Sequence, residues 1–339
     1  MPLLRTIVRS TLEDYTAPLQ EALDAVHAAG GGEVALTPGA FPYSGNLRLR
    51  DRTTLRGAPG STLVARNPAA SSILVSGEDV AVRDLTLTGS AQQRTGSDNA
   101  MGIRAAGCTR LTIENVAVRG TAAAGILLRA CSDFRINGCT VAATLADGIH
   151  VTERSHHGTI TGNRLLGTGD DGIACVGYEK DGGVVSHVTI AGNVVNGGRA
   201  RGIACLGGHH VTISGNVISD TAAAGVYVVQ EPSYNTYASR SVAVSGNVMT
   251  NVSQRVGHGG IFIRGGPGTR RTRDGQTLTN AVELVTLTGN ILDGSRNDGL
   301  FVGENTRWVV GRGNLVSNIV RRPVAVSNEG NDVEAVVVQ

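Results

Sequence analysis

A glycine followed by an alternating apolar strand pattern recurs along this chain. It reads Gly102-Ile103-Arg104-Ala105, Gly125-Ile126-Leu127-Leu128, Gly148-Ile149-His150-Val151, Gly172-Ile173-Ala174-Cys175 and Gly202-Ile203-Ala204-Cys205, then Gly225-Val226-Tyr227-Val228, Gly260-Ile261-Phe262-Ile263 and Gly299-Leu300-Phe301-Val302. The glycines are 23, 23, 24, 30, 23, 35 and 39 residues apart, so a unit of 23 or 24 is lengthened three times. Later in each unit a second alternation ends in Gly-Asn, as in Val188-Thr189-Ile190-Ala191-Gly192-Asn193. The period is two residues and no unit holds a ten-residue stretch with helical periodicity, so the repeat is predicted to be all strand. Self-similarity at this period means stacked coils, here a parallel β-helix of roughly ten.

Asn163, Asn193, Asn216, Asn247, Asn290 and Asn314 hold one place in six successive units, which predicts a structural ladder in which each amide is satisfied by the next. The first hundred residues differ. Leu19, Ala22, Leu23 and Val26 share one helical face and are followed by Gly30-Gly31-Gly32, predicting a helix over about 11–30 that caps the open end of the stack. Coils then fill about 33–339, and the chain 1–339 is expected to be a single all-β domain.

With 47 glycines, 41% hydrophobic and 3% aromatic residues, the core is expected to be small aliphatic rungs. A net charge of +2 does not suggest nucleic acid, and no apolar run is long enough to span a membrane. Met1-Pro2-Leu3-Leu4-Arg5 lacks a signal peptide's apolar stretch, so the protein is expected to be cytoplasmic, or secreted if a leader was removed. Cys175 and Cys205 fall at one inward position, Cys108 and Cys131 at another, and Cys139 is left over; they read as free thiols serving as small core hydrophobes.

The segment from Glu33-Val34-Ala35-Leu36-Thr37-Pro38-Gly39 to Leu55-Arg56-Gly57, with the helix before it, resembles the amino-terminal part of the pectate-lyase-like superfamily. That resemblance covers roughly residues 5–65 and, more loosely, the whole repeat. It implies a right-handed parallel β-helix with an N-terminal capping helix, and leaves the reaction open.

Chemistry is therefore sought on one face of the stack. In each front strand the first and third apolar residues point inward, leaving Arg104, Leu127 and Arg129, His150 and Thr152, Ala174, Ala204, Tyr227, Phe262 and Arg264, and Phe301 outward. This mixed apolar, aromatic and cationic platform is expected to meet a ligand or a partner subunit. The turn before each strand carries the acids: Asp147 in one unit and Asp170 with Asp171 in the next, followed by Arg201. Coils are about 4.8 Å apart, and like charges at that range disfavour full ionisation of the set, the condition a general acid at neutral pH requires. Insertions at Gly177 to Val185, Glu231 to Arg240 and Gly265 to Asn280 follow platform strands and are expected to wall a cleft. The third carries Arg270, Arg271 and Arg273, which suggests an anionic group on the ligand.

Leu145-Ala146-Asp147-Gly148-Ile149-His150 and Gly169-Asp170-Asp171-Gly172-Ile173-Ala174 resemble the Asn-Thr-Asp-Gly-Ile-Asp and Gly-Asp-Asp-Cys-Ile-Ala motifs of the polygalacturonase branch. The resemblance implies an inverting glycoside hydrolase with Asp170 as general acid and Asp147 and Asp171 activating water. The chain departs from the family where Gly-His-Gly is expected, having Ala200-Arg201-Gly202; its Gly257-His258-Gly259 comes two coils later, and Arg-Ile-Lys appears as Phe262-Ile263-Arg264. The replaced residues are those that would hold a uronate carboxylate. The expectation is a carbohydrate-active enzyme with Asp147, Asp170 and Asp171 catalytic and Arg129, His150, Arg201, Tyr227, His258, Phe262 and Arg264 contacting a carbohydrate or anionic small molecule. No cofactor is required. The alternatives are a lyase or epimerase acting on a uronate, with His150 or His258 as base and calcium as candidate cofactor, and a non-catalytic glycan-binding solenoid. A monomer or a homotrimer fits either.

Overall fold

Glycine sets both the turns and the spacing of the coils. The glycines preceding the ladder asparagines (Gly162, Gly192, Gly215, Gly246, Gly289 and Gly313) all lie in the left-handed region at φ 61–65°, where a side chain is strained. The glycines that open the front strands meet a different constraint. At Gly202 a Cβ would collide with Ile218 and come within 2.6 Å of the Gly225 carbonyl of the next coil, so only glycine lets the backbones approach.

The computed structural model describes residues 2–271, 275, 277–327 and 332–338, with backbone alone for Arg270 and 332–338. The chain forms two compact units, Met1–His150 with His156–Gly169, and Val151–Ser155 with Asp170–Gln339. Each is a stack of parallel coils with three strands per turn.

In the first unit the helix α1 (Thr16–Ala28) buries Leu19, Ala22, Leu23 and Val26, the face predicted from spacing. Front strands Leu47–Leu49, Ile73–Glu78, Ile103–Thr109 and Ile126–Arg129 pair in parallel, with Ile73, Ile103 and Ile126 in one inward column.

In the second unit the front strands are Ile173–Val176, Ile203–Leu206, Val226–Val229, Ile261–Arg264, Leu300–Val302 and Val324–Val326, all parallel and in register. Cys175 and Cys205 are register partners and wholly buried, and all five cysteines are free thiols. The second and third strands of each coil meet at the Gly-Asn turn, where the ladder forms. Asn216 Oδ1 accepts from both the backbone N–H and Nδ2 of Asn193, each at 2.9 Å, and Asn216 Nδ2 donates to Asn247 Oδ1 at 2.9 Å and to the Ile190 carbonyl at 3.0 Å. The pattern repeats through Asn247, Asn290 and Asn314. Asn216, Asn247 and Asn290 thus each have both donors and the acceptor satisfied, which is why the residue recurs.

The outward face of the front strands is not open, contrary to the expectation from alternation alone. Ala174, Ala204, Tyr227 and Phe262 point away from the coil interior yet are at most 6% exposed, joined in a second apolar cluster with Val176, Leu206 and Val229. Tyr178, from the first insertion, and Phe301 pack against it. The third insertion forms an antiparallel hairpin, Thr269–Arg271 with Thr277–Thr279; Arg271 is exposed, while Arg273 and the Arg270 side chain lie outside the described residues. No helix among the described residues is long and apolar enough to cross a membrane.

Candidate active site

The turns that precede the front strands hold their acids in two different ways. In the first unit, Asp147 Oδ2 lies 2.6 Å from His150 Nδ1, with both side chains 14% exposed. The pairing fixes the imidazole ring and directs its other nitrogen, Nε2, away from the carboxylate. Arg129, also in this unit, is tied to Asp98 at 2.9 Å, and Arg104 reaches the same carboxylate at 3.2 Å.

In the second unit, Asp170 and Asp171 offer carboxylate oxygens within 4.8 Å of each other on the turn before Ile173–Val176. Asp171 is buried, and its Oδ1 accepts from the backbone N–H of Arg201 at 2.9 Å and from Arg201 Nη1 at 3.5 Å. The other arm of the guanidinium, Nη2, donates to Glu231 Oε1 at 3.1 Å, and the guanidinium carbon lies 4.4 Å above the Tyr227 ring. Beyond Tyr227 the rings continue as a stack: Tyr227–Phe262 at 5.3 Å, Phe262–Phe301 at 4.6 Å, with His258 stacked on Tyr227 at 4.8 Å and tilted against Phe262 at 4.9 Å. Arg264 pairs with Glu304 at 2.9 Å.

The same acid–arginine arrangement recurs farther along this unit. Buried Asp298 accepts from the backbone N–H of Arg322 at 3.3 Å and from Nε and Nη2 at 2.9 and 3.1 Å. Asp298 precedes its strand glycine as Asp171 and Arg201 do, and Arg322 takes the corresponding place before Pro323 and the strand Val324–Val326. The fold therefore uses this geometry to lock one coil's turn to the next, and Asp171 performs that task. Asp170 has no counterpart in the Asp298 turn, where the preceding residue is Asn297.

Charge states follow from these contacts. Burial opposes the charge on Arg201, but Asp171 and Glu231 outweigh it and hold the guanidinium protonated above its ordinary range. Burial, then Glu231, pushes the Tyr227 phenol up. Burial, then Arg201 and Arg264, pushes His258 down to about 4, and its Nδ1 is buried without a partner among the described residues. His258 is thus neutral at pH 7 and its unfolded form, near pKa 6.5, binds the proton more readily. Between pH 6.5 and 4 the unfolded state holds more protons, so stability should fall as pH is lowered through that window and be indifferent to His258 above it. Melting temperatures of the wild type and His258→Gln from pH 4 to 7.5 check this; the variant should show the shallower decline.

The structure thus brings Asp170, Asp171, Arg201, Tyr227, His258, Phe262 and Arg264 onto one side of the second unit, and places Asp147, His150 and Arg129 in the first. Sequence reasoning missed Glu231, Glu304 and Asp98 as carboxylate partners. Glu231 was legible in one respect, lying two residues beyond the platform strand Val226–Val229.

Comparison with known proteins agrees with this architecture. Among solved structures, a mannuronan C-5 epimerase A-module from Azotobacter vinelandii is similar with TM-score 0.67 and 18% identity, covering 96% of each chain. A variant GH87 alpha-1,3-glucanase catalytic domain in complex with tetrasaccharides gives TM-score 0.74 and 16% identity over 98% of this chain and 68% of that one. The Dettilon tailspike protein gives TM-score 0.65 and 16% identity over 95% and 68%. No curated protein sequence matches. The right-handed β-helix profile matches residues 71–242 and 125–282, more than half of the sequence. The chain belongs to the right-handed β-helix family.

Proposed function

We propose that this carbohydrate-active β-helix protein is a glycoside hydrolase acting on a neutral oligosaccharide. The observation that carries the choice of substrate is the pairing of the cations. Arg201 is matched by Asp171 and Glu231, and Arg264 by Glu304, so with Asp170 four carboxylates face two guanidiniums. A uronate carboxylate would have to displace one of these partners and leave it buried or unpaired, whereas a neutral sugar leaves every pair intact. The glucanase and its bound tetrasaccharides are consistent with such a ligand.

In this reading Asp170 protonates the departing glycosidic oxygen. Asp171 holds the turn through Arg201. Water adds to the anomeric carbon, and its proton returns to the carboxylate left on Asp170.

The neutral state of His258, stacked on Tyr227 beside Arg201, favours a second reading. A neutral imidazole suits a base that removes a carbon-bound proton, as in a uronate epimerase or lyase. Mass spectrometry of products in ¹⁸O water separates the two. Hydrolysis adds ¹⁸O at a new reducing end. Elimination gives ultraviolet-absorbing unsaturated ends, and epimerisation in deuterated water gives deuterium uptake without cleavage. Cleavage of neutral glucan oligosaccharides with ¹⁸O uptake is expected, and uronate-only turnover would sink the hydrolase reading.

A further inference from the structure

Aromatic residues make up only 3% of the chain, yet four of its six tyrosines, Tyr178, Tyr227, Tyr234 and Tyr237, fall within residues 178–237. Three of these are on the first two insertions. Tyr234 is 64% exposed, against 49% for Trp308, the other large aromatic on the surface. A lone exposed ring needs no special explanation; a ring on a built mount does.

Tyr234 ends a 3₁₀ turn, Pro232–Tyr234, which opens on a proline and closes on Asn235 in the left-handed conformation at φ 50°. Thr236 pins the base of this turn: its hydroxyl accepts the Glu231 N–H at 2.8 Å, and its carbonyl accepts Gln230 Nε2 at 2.9 Å. The turn is strapped to the first insertion by an antiparallel bridge between Tyr178 and Thr236 and by the Glu179 N–H on the Asn235 carbonyl at 2.9 Å. Tyr237 N–H closes the strap on the Gly177 carbonyl at 2.8 Å. At its root, Glu231 is held by Arg201, whose guanidinium also holds Asp171 beside Asp170. An unbroken series of bonds therefore runs from the acid-bearing turn to an exposed ring three residues past Glu231.

We infer that the two joined insertions form a wall on which Tyr234 is a sugar-stacking residue, a binding subsite for a pyranose of the oligosaccharide away from the bond being cut. This deepens the hydrolase reading and rests on it. A rigid amphipathic ring with two side-chain torsions gives apolar contact to the C–H face of a sugar at small entropic cost, and the phenol stays in water. The Tyr227 and Phe262 rings cannot serve in this way, because their faces are taken by Arg201, His258, Phe301 and each other.

The test is steady-state kinetics of wild type, Tyr234→Ala and Tyr234→Trp on linear neutral glucan oligomers of two to six units. Tyr234→Ala should raise KM for the longer oligomers about five- to tenfold with kcat unchanged, leave the dimer unaffected, and be rescued by Tyr234→Trp. An alanine variant equal to wild type at every length, or one that lowers kcat at every length alike, overturns the subsite. Wild type in the same assay reads the hydrolase proposal by itself. Failure to release any new reducing end refutes that reading, whereas cleavage with no length-dependent effect refutes only the role of Tyr234.

Discussion

Asp170→Asn is expected to lower kcat by about a thousandfold with KM within about twofold of wild type, the size of loss usual when a general acid is removed. Asparagine keeps the shape and hydrogen-bonding reach of the side chain and removes only the transferable proton. Asp170 has no counterpart in the equivalent Asp298 turn, so the melting temperature should fall less than in Asp171→Asn. Asp171→Asn offers the contrast. That carboxylate accepts two donors from Arg201, and its neutralisation should cost stability together with activity. Initial rates of reducing-end release and thermal melts on both variants decide the matter. A tenth or more of wild-type kcat in Asp170→Asn would remove Asp170 from the chemistry. Equal melting losses in both variants would contradict the separate tasks assigned to the two acids.

The fold was legible because it is written many times over. One Gly-Ile-x-Val strand is ambiguous, but eight repeats of it, with an asparagine at the same later place in six units, leave few structures that bury the apolar positions and satisfy the amides. Asn216 shows why: its neighbours above and below supply its amide partners, so each asparagine depends on the next. The capping face of Thr16–Ala28 was legible for a similar reason, since helical spacing alone selects Leu19, Ala22, Leu23 and Val26.

The site was legible only where it follows the repeat. Asp147, Asp170, Asp171 and Arg201 sit at turn positions counted from a glycine, and alternation placed Tyr227 and Phe262 in one outward column. What the repeat does not set could not be read. Glu231 lies at the start of an insertion, and Asp98 precedes a strand in an irregular stretch, so their pairing with Arg201 and Arg129 has no register to count from. This is why the arginines looked like anion receptors in the sequence and prove to be neutralised within the chain. The burial of Tyr227 and Phe262 was hidden for the same reason: alternation gives the side of the strand a residue occupies, and the insertions decide what covers it.

Arg201→Ala should be among the most damaging single changes in the second unit, destabilising it by about 2–3 kcal/mol and reducing kcat at least about tenfold. Removing one partner of a buried ion pair leaves the other charge uncompensated, typically at about 3–5 kcal/mol. The lower figure applies here because Asp171 keeps the residue-201 backbone N–H in the alanine variant and Arg201 is 16% exposed. Arg322→Ala is the internal control. It breaks the same geometry at Asp298, but Arg322 is 64% exposed, so solvent screens the pair and the expected loss is much smaller than for Arg201→Ala. Arg201→Lys should not restore function, because a single ammonium lacks the planar fork that serves Asp171 and Glu231 while lying over Tyr227. Urea unfolding and kinetics on the three variants test the argument. If Arg201→Ala were no more harmful than Arg322→Ala, the pair would be a simple coil lock. A larger loss of both stability and kcat, with Arg201→Lys failing to recover the rate, would show that the lock also orders the acid-bearing turn and the wall that Glu231 anchors.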